Sequence, residues 1–290
     1  MIVRAAGRSL ELGARPWLMG VVNATPDSFS DAGRHPDKVA LGLELLEQGA
    51  DLLDVGGESA TTGRPPVAAA EEIARVVPVI EALAARGAVV SVDTYKPAVA
   101  EAAIAAGAVM VNDVSGLRDP ALADVCARTG AALVVMHTRA EPKQRLQDPR
   151  RYDDVVADVV GFLRERMALA GSRGVDGEQL VLDPGPDFAK TPAQTIELLR
   201  RLDEVRALGR PLLLAVSRKD FIGALTRRPP GQRLAGTLAA IGWGVDHGAA
   251  ILRVHDVREA ADFLAVRAAL RGDLDVAPDL AITEEIRLER

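Results

Sequence analysis

Cysteine is nearly absent from this chain: there is one, Cys126, in 290 residues. A lone thiol excludes an intramolecular disulfide framework, and its place in the apolar stretch 122–126 makes it a core residue of a helix. Aromatics are scarce too, at 3%, so the core must be built from Ala, Val, Leu and Ile. No apolar run approaches the about 18 residues that span a bilayer. The opening stretch, MIVRAAGRSLELG, has charges spaced through it and no signal-peptide core; a cytoplasmic protein with no membrane partner is expected. A basic excess is also missing. The 35 Lys and Arg face 41 Asp and Glu, a net charge of −6, which argues against nucleic acid as a partner. It does not argue against a small anionic substrate, which needs only a local pocket.

What the chain does have is a repeated beat. Eight short apolar runs end on a polar residue: 18–22 at Asn23, 52–53 at Asp54, 88–92 at Asp93, 109–111 at Asn112, 131–136 at His137, 180–182 at Asp183, 212–216 at Ser217, and 249–254, which carries Arg253, at His255. Continuous apolar runs of this length read as parallel strands buried on both faces. Helix-patterned segments lie between them at 37–48, 68–85, 97–106, 121–128, 153–170, 191–207 and 259–270. Gly49, Gly87, Gly107, Gly130, Gly171 and Gly209 fall where C-terminal caps belong. The pattern predicts an α/β chain folded as a single-domain (β/α)8 TIM barrel, which typically takes about 250 residues. A doubly wound sheet, the rival, would show fewer strands and one switch point. Residues 1–16 read as a short N-terminal hairpin or cap, 17–272 as the barrel, and 273–290 as a C-terminal tail. In such a barrel the eight polar run-ends share one mouth.

Three of those run-ends, Asp93, Asn112 and Asp183, are rich in acceptors. Burying all three is expensive unless something donates hydrogen bonds to them. A ligand with an edge of N–H groups, such as a 2-aminopyrimidinone ring, would do so; a polar network bracing loops would too. The set lacks the paired His of zinc sites, which leaves an oxygen-only magnesium site open. Ser217-Arg218-Lys219 is predicted to open a helix after the seventh run, where free N–H groups and a positive dipole end meet, with Ser217 as its cap. Lys219 is one of only five lysines. Two residues past a core strand, it is expected to point into the mouth. Arg253 and His255 are two residues apart and share a face. They suit a phosphate or diphosphate where barrels commonly bind one. The structural alternative is a brace from Arg253 to Asp256 or a neighbour. The long polar segments 23–36, 56–67 and 138–151 read as surface loops or lids on the same side.

Together these residues resemble the dihydropteroate synthases, pterin-binding α/β-barrel enzymes, over roughly residues 15–270. The resemblance is carried by NATPDSFSDAG (23–33), DVGGES (54–59), SVDTYKP (91–97), NDVSG (112–116), VVMH (134–137), DPGPDFAK (183–190), SRKDFIG (217–223), RLAGTLA (233–239) and RVHD (253–256). It implies condensation of 6-hydroxymethyl-7,8-dihydropterin diphosphate with p-aminobenzoate, giving 7,8-dihydropteroate and diphosphate. By the same resemblance Asp93, Asn112, Met136, Asp183, Phe188 and Lys219 hold the pterin. Asn23, Arg253 and His255 hold the diphosphate, with Asn23 on a Mg2+ cofactor, and Phe188, Ser217 and Lys219 receive p-aminobenzoate. Asp93 and Lys219 are the catalytic pair. The chain departs from the family pattern at residues 60–62, Ala-Thr-Thr in place of Thr-Arg-Pro, and at Ala32, Asp187 and Ala189, where glycines are usual. A pterin-binding paralogue without synthase activity is one alternative. A pterin-dependent methyltransferase is another, although it has no diphosphate to expel and so no use for 217–219 and 253–256. The last helices, around 234–245 and 260–270, are apolar enough for a homodimer face and equally for packing on the barrel; a homodimer taking small-molecule substrates is expected.

Overall fold

The computed structural model describes residues 1–25, 37–59, 65–144, 146–283 and 287. The chain opens with an antiparallel hairpin, β1 (Ile2–Ala5) and β2 (Arg8–Glu11). Its turn residues Ala6 and Gly7 have φ of 48° and 79°, the left-handed pair a tight hairpin requires. Val3, Ala5, Leu10 and Leu12 of this hairpin are buried with Met19, Met110 and Leu213 of the strands that follow. The hairpin therefore plugs one end of the barrel.

Eight parallel strands then close on themselves: β3 (Trp17–Asn23), β4 (Leu52–Gly56), β5 (Val90–Asp93), β6 (Met110–Asp113), β7 (Ala132–Met136), β8 (Leu180–Asp183), β9 (Leu212–Leu214) and β10 (Ala249–Val254), in the order β10-β3-β4-β5-β6-β7-β8-β9. This is the TIM barrel that the run pattern predicts. Alternation along each strand sorts residues into two rows. Met19, Leu52, Met110, Ala132, Val134, Val181, Leu213, Ala215 and Ile251 fill the interior with the hairpin. Leu18, Val22, Leu53, Val55, Val111, Leu133, Val135, Leu182, Leu214 and Leu252 pack outward under the helices. Stepping by two from the interior row reaches Asn23, Asp54, Asn112, Met136, Asp183, Ser217, Arg253 and His255. Stepping from the outer row reaches Asp113 and His137, so His137 does not belong to the mouth although it ends an apolar run. Neighbouring registers align Asn23 with Gly56, Gly56 with Asp93, Asp93 with Asn112, and Met136 with Asp183.

The helices are α1 (Lys38–Glu47), α2 (Ala69–Ala84), α3 (Pro97–Ala105), α4 (Ala121–Thr129), α5 (Val155–Ser172), α6 (Pro192–Arg200), α7 (Leu202–Arg206), α8 (Asp220–Thr226), α9 (Leu234–Asp246) and α10 (Val257–Arg271). Asp37, Asp154 and Thr191 cap α1, α5 and α6 with their side chains, as short oxygen-bearing residues do. Two expectations are corrected. The segment 191–207 is two helices that meet at Arg201. Gly171 lies inside α5, and the turn is made by Gly174, φ 90°. Cys126 is buried in α4, where burial pushes its thiol up to about 12. Residues 273–283 form no helix or strand and are exposed.

The loop after β8 turns at Gly185 (φ 66°), where an added Cβ would lie 2.1 Å from the His137 carbonyl oxygen. Backbone cannot retreat as a flexible side chain can. Gly185→Ala is expected to lower stability by on the order of 3 kcal/mol, the sum of left-handed strain and overpacking. A urea midpoint equal to wild type would contradict this.

Candidate active site

Strand ends bring the candidate residues together. A cavity of about 290 Å³ is lined by Asn23, Asp93, Asn112, Met136, Asp183, Phe188, Ser217, Lys219, Arg253 and His255. Every candidate site residue of the sequence reading is in it. A second cavity of about 350 Å³ adjoins it over the loops after β5, β7, β8 and β9. The two share Glu58, Asp93, Phe188 and Lys219 among their walls; Ser217, Arg253 and His255 face only the inner one.

At the base sits an ion cluster. Arg253 donates from Nε to Asp54 Oδ2 at 2.7 Å and from Nη2 to Asp93 Oδ2 at 2.8 Å. Asn112 Nδ2 donates to the same Asp54 oxygen at 2.9 Å. Asp54 is fully buried. Burial raises the proton affinity of Asp93; the Arg253 charge opposes that rise, and nearby Asp54 adds to it. Arg253 thus is braced, but to Asp54 and Asp93. Asp256 is taken by Arg218, whose Nε lies 3.0 Å from it. Asp54 has no role in the sequence reading beyond ending a run. The signal was its step of two from Leu52, which puts it in the interior row.

Asp183 accepts from Gly185 N at 2.7 Å. Burial raises its proton affinity, and the turn N–H, Lys219, Lys190 and Arg253 counteract that. Lys219 is the residue before α8, and its ammonium lies 4.2 Å from the Phe188 ring centroid. Burial lowers its proton affinity, against the pull of Asp187 and Asp183. Ser217 does not cap α8, which starts at Asp220 without a side-chain cap. Arg218 adopts φ 57°, so the chain turns once more before the helix begins. Ser217 Oγ instead accepts from His255 N at 3.2 Å and lies 3.0 Å from His255 Nδ1. Burial, then Arg253 and Arg218, bring His255 down to about 4, so its ring is neutral around pH 7.

The outer cavity is held by a second charged network. Glu58 accepts from Tyr95 Oη at 3.0 Å, from Lys96 Nζ at 2.5 Å and from Val67 N at 3.0 Å, and pairs with Lys143 at 3.0 Å. Lys96 also donates to Glu72 at 2.5 Å. Burial works against the Glu58 charge, but Lys96 and Lys143 hold its proton affinity below the usual carboxylate value. One carboxylate thereby joins the loops after β4, β5 and β7. Of the candidate lid segments 23–36 and 56–67, residues 26–36 and 60–64, with Ala32 and the departure at 60–62, lie outside the described residues.

Behind the loop after β8, fully buried Lys190 donates to the carbonyls of Gly185 (2.8 Å) and Phe188 (3.1 Å) and to His137 Nδ1 (2.8 Å). His137 Nε2 is 2.9 Å from Asp158, which also holds Arg139. Burial brings Lys190 down to about 7 and His137 to about 3. None of this was read from the sequence, because the partners are loop carbonyls that no local pattern announces.

Comparison with known proteins comes to one family. The model of the pterin binding enzymes matches residues 19–255. A dihydropteroate synthase of Escherichia coli (strain K12) is 41% identical over 266 residues, covering 90% of this chain and 94% of its own. The structure of Xanthomonas albilineans dihydropteroate synthase with 4-aminobenzoic acid superposes with a TM-score of 0.85 at 47% identity, over 93% of this chain and 99% of that one. The same enzyme in complex with 7,8-dihydropteroate gives 0.81 at 44% identity, over 93% and 98%.

The neutral His137 ring makes stability depend on pH. Its folded value of about 3 lies below the unfolded value of about 6.5, so the unfolded chain takes up the proton first as pH falls through that window. Stability contributed by the neutral ring is complete above about 6.5 and is lost toward about 3. His137→Gln is expected to be less stable than wild type near pH 7. In urea titrations the gap narrows on acidification by up to ~1.4 kcal/mol per pH unit. A gap independent of pH would show that the ring titrates alike in both states.

Proposed function

This chain belongs to the pterin binding enzyme family, and we infer that it is a dihydropteroate synthase, a transferase of folate biosynthesis. It joins 6-hydroxymethyl-7,8-dihydropterin diphosphate to p-aminobenzoate and releases diphosphate. The observation that carries the assignment is the inner cavity itself, where Asp93, Asn112 and Asp183 stand beside Arg253 at the ends of rigid strands. Carboxylate and amide oxygens accept from the N–H edge of a pterin; a guanidinium binds its diphosphate.

The chemistry asks little of a base. The bond between the pterin methylene carbon and the diphosphate oxygen breaks with its electron pair leaving on oxygen. A delocalised pterin cation forms, the aniline nitrogen supplies the pair for the new C–N bond, and that nitrogen then sheds a proton. Asp93 and Asp183 favour the cation electrostatically. Arg253 uses Nε and Nη2 on Asp54 and Asp93 and keeps further N–H donors for the departing anion. His255, hydrogen-bonded to Ser217 in the inner cavity, belongs with Arg253 on the diphosphate. Met136 packs on the pterin. Phe188 and Lys219, which wall both cavities, meet the pterin in the inner one and the aminobenzoate in the outer one.

Among the described residues no group of three His, Cys, Asp or Glu side chains could hold a metal ion. Asn23, whose side chain carries one amide oxygen, is in the wall of the inner cavity. Magnesium commonly takes only one or two protein oxygens beside substrate phosphates and water, so the residues fit Mg2+ carried by the diphosphate. When bound, it would neutralise charge on the leaving group. We further propose a cytoplasmic homodimer. Support for the dimer comes from Trp243, Val266 and Leu270, large apolar side chains left exposed on α9 and α10. Among the described residues no helix is long and apolar enough to cross a membrane.

The purified chain is expected to form 7,8-dihydropteroate from the two substrates. Arg253→Ala should lower kcat roughly a hundredfold, the scale of removing one donor to a developing anion. Folded wild-type protein that yields no product at high enzyme concentration would overturn the assignment. Calorimetric binding of the pterin diphosphate in that case would mark the chain as a pterin binder alone.

A further inference from the structure

Asp187 stands out in the loop between β8 and α6. Its φ of 67° lies in the left-handed region, where a residue with a Cβ is strained and glycine is not. The family pattern has a glycine here. This chain has a carboxylate with two partners on different helices. Asp187 Oδ2 accepts from Phe221 N at 3.1 Å, in the first turn of α8. Asp187 Oδ1 accepts from the Thr195 hydroxyl of α6 at 3.1 Å, and that hydroxyl accepts in turn from Asp187 N at 3.1 Å. Thr195 is fully buried.

The position of this carboxylate answers a local problem. First-turn N–H groups need outside acceptors. The residue before α8 is Lys219, which gives no side-chain cap and whose ammonium lies over the Phe188 ring instead. The Asp220 carboxylate pairs with Arg233 at 3.0 Å. Asp187 thus caps α8 from another loop, and in doing so ties the loop that carries Phe188 to the turn that carries Lys219. It is also the strongest of the charges that support the Lys219 ammonium against burial.

We propose that Asp187 is a positioning residue for the second substrate: its carboxylate clamps the β8–α6 loop to α8 and so fixes Phe188 and Lys219 as the two walls of the aminobenzoate pocket. Of the residues assigned to the pterin, Asp93, Asn112, Met136 and Asp183 sit on strands and do not depend on this clamp, whereas Phe188 and Lys219, which wall the inner cavity too, do. The proposal rests on the synthase assignment for its kinetic arm but not for its structural one.

The full-length wild type is compared with D187G, which relieves the left-handed strain but cuts the clamp, and with D187N, which keeps an acceptor and tolerates the backbone. In D187G the KM for p-aminobenzoate should rise about tenfold and the KM for the pterin diphosphate by a clearly smaller factor, because most of the pterin set sits on strands that the clamp does not touch. The Phe221 amide should exchange with deuterium at least about tenfold faster. D187N should stay within about threefold of wild type in all three measurements. Thr195→Val, close to isosteric, cuts one arm of the clamp and should shift the aminobenzoate KM and the Phe221 exchange in the same direction, so the test survives if D187G does not fold. Wild-type exchange at Phe221 in D187G overturns the clamp whatever the activity. Faster exchange with unchanged KM overturns the positioning role, and D187N as impaired as D187G assigns the effect to charge instead.

Discussion

The guanidinium of Arg253 sits between two carboxylates that could not otherwise share a barrel mouth. Asp54 is fully buried and Asp93 lies close beside it. Two like charges so placed would drive one to keep its proton. One rigid fork of N–H donors meets both, a geometry that a lysine point charge would not reproduce. The link also closes the sheet chemically, since β10 reaches β4 and β5 across the mouth. In the proposed function Arg253 holds the acids ready for a pterin and presents its own charge to the diphosphate. The two duties are coupled. A diphosphate held by Arg253 would bring further negative charge toward Asp93 and so favour its protonated form.

How much of this could be read from the sequence follows from parity. A strand places every second residue on one face, so a polar run-end belongs to the mouth only if it is in step with the interior row. Asn23, Asn112, Asp183, Arg253 and His255 are in step, and their grouping was legible. Asp54 is in step with Leu52 and could have been placed by the same count. His137 is out of step, and it supports the loop after β8 from outside the barrel. Other features have no local signature. Ser217 resembles a helix cap in sequence, but the left-handed Arg218 inserts a turn before α8. No glycine or proline marks the break at Arg201. The partners of Lys190 are the carbonyls of Gly185 and Phe188, which only the folded loop brings to it.

The site's two halves are built by different physics. Asp93, Asn112, Asp183 and Arg253, the groups proposed for the pterin and its diphosphate, sit on strands, whose spacing is fixed by the sheet register and the packed interior. Phe188 and Lys219, and the walls of the outer cavity, sit on loops, which have no ladder of hydrogen bonds to hold them. Side chains take over that task. Lys190 holds the Gly185 and Phe188 carbonyls from behind, Asp187 ties the same loop to α8, and Glu58 gathers Lys96, Lys143 and Tyr95 from neighbouring loops. Each device buries charge, which is costly unless every donor and acceptor finds a partner. The proposed reaction, with departure of diphosphate as its first step, benefits from this division. The strand-borne half must be rigid before the bond breaks, because stabilising a developing charge requires dipoles already in place. The loop-borne half has only to admit an aryl amine and aim its nitrogen, a task in which orientation counts more than charge.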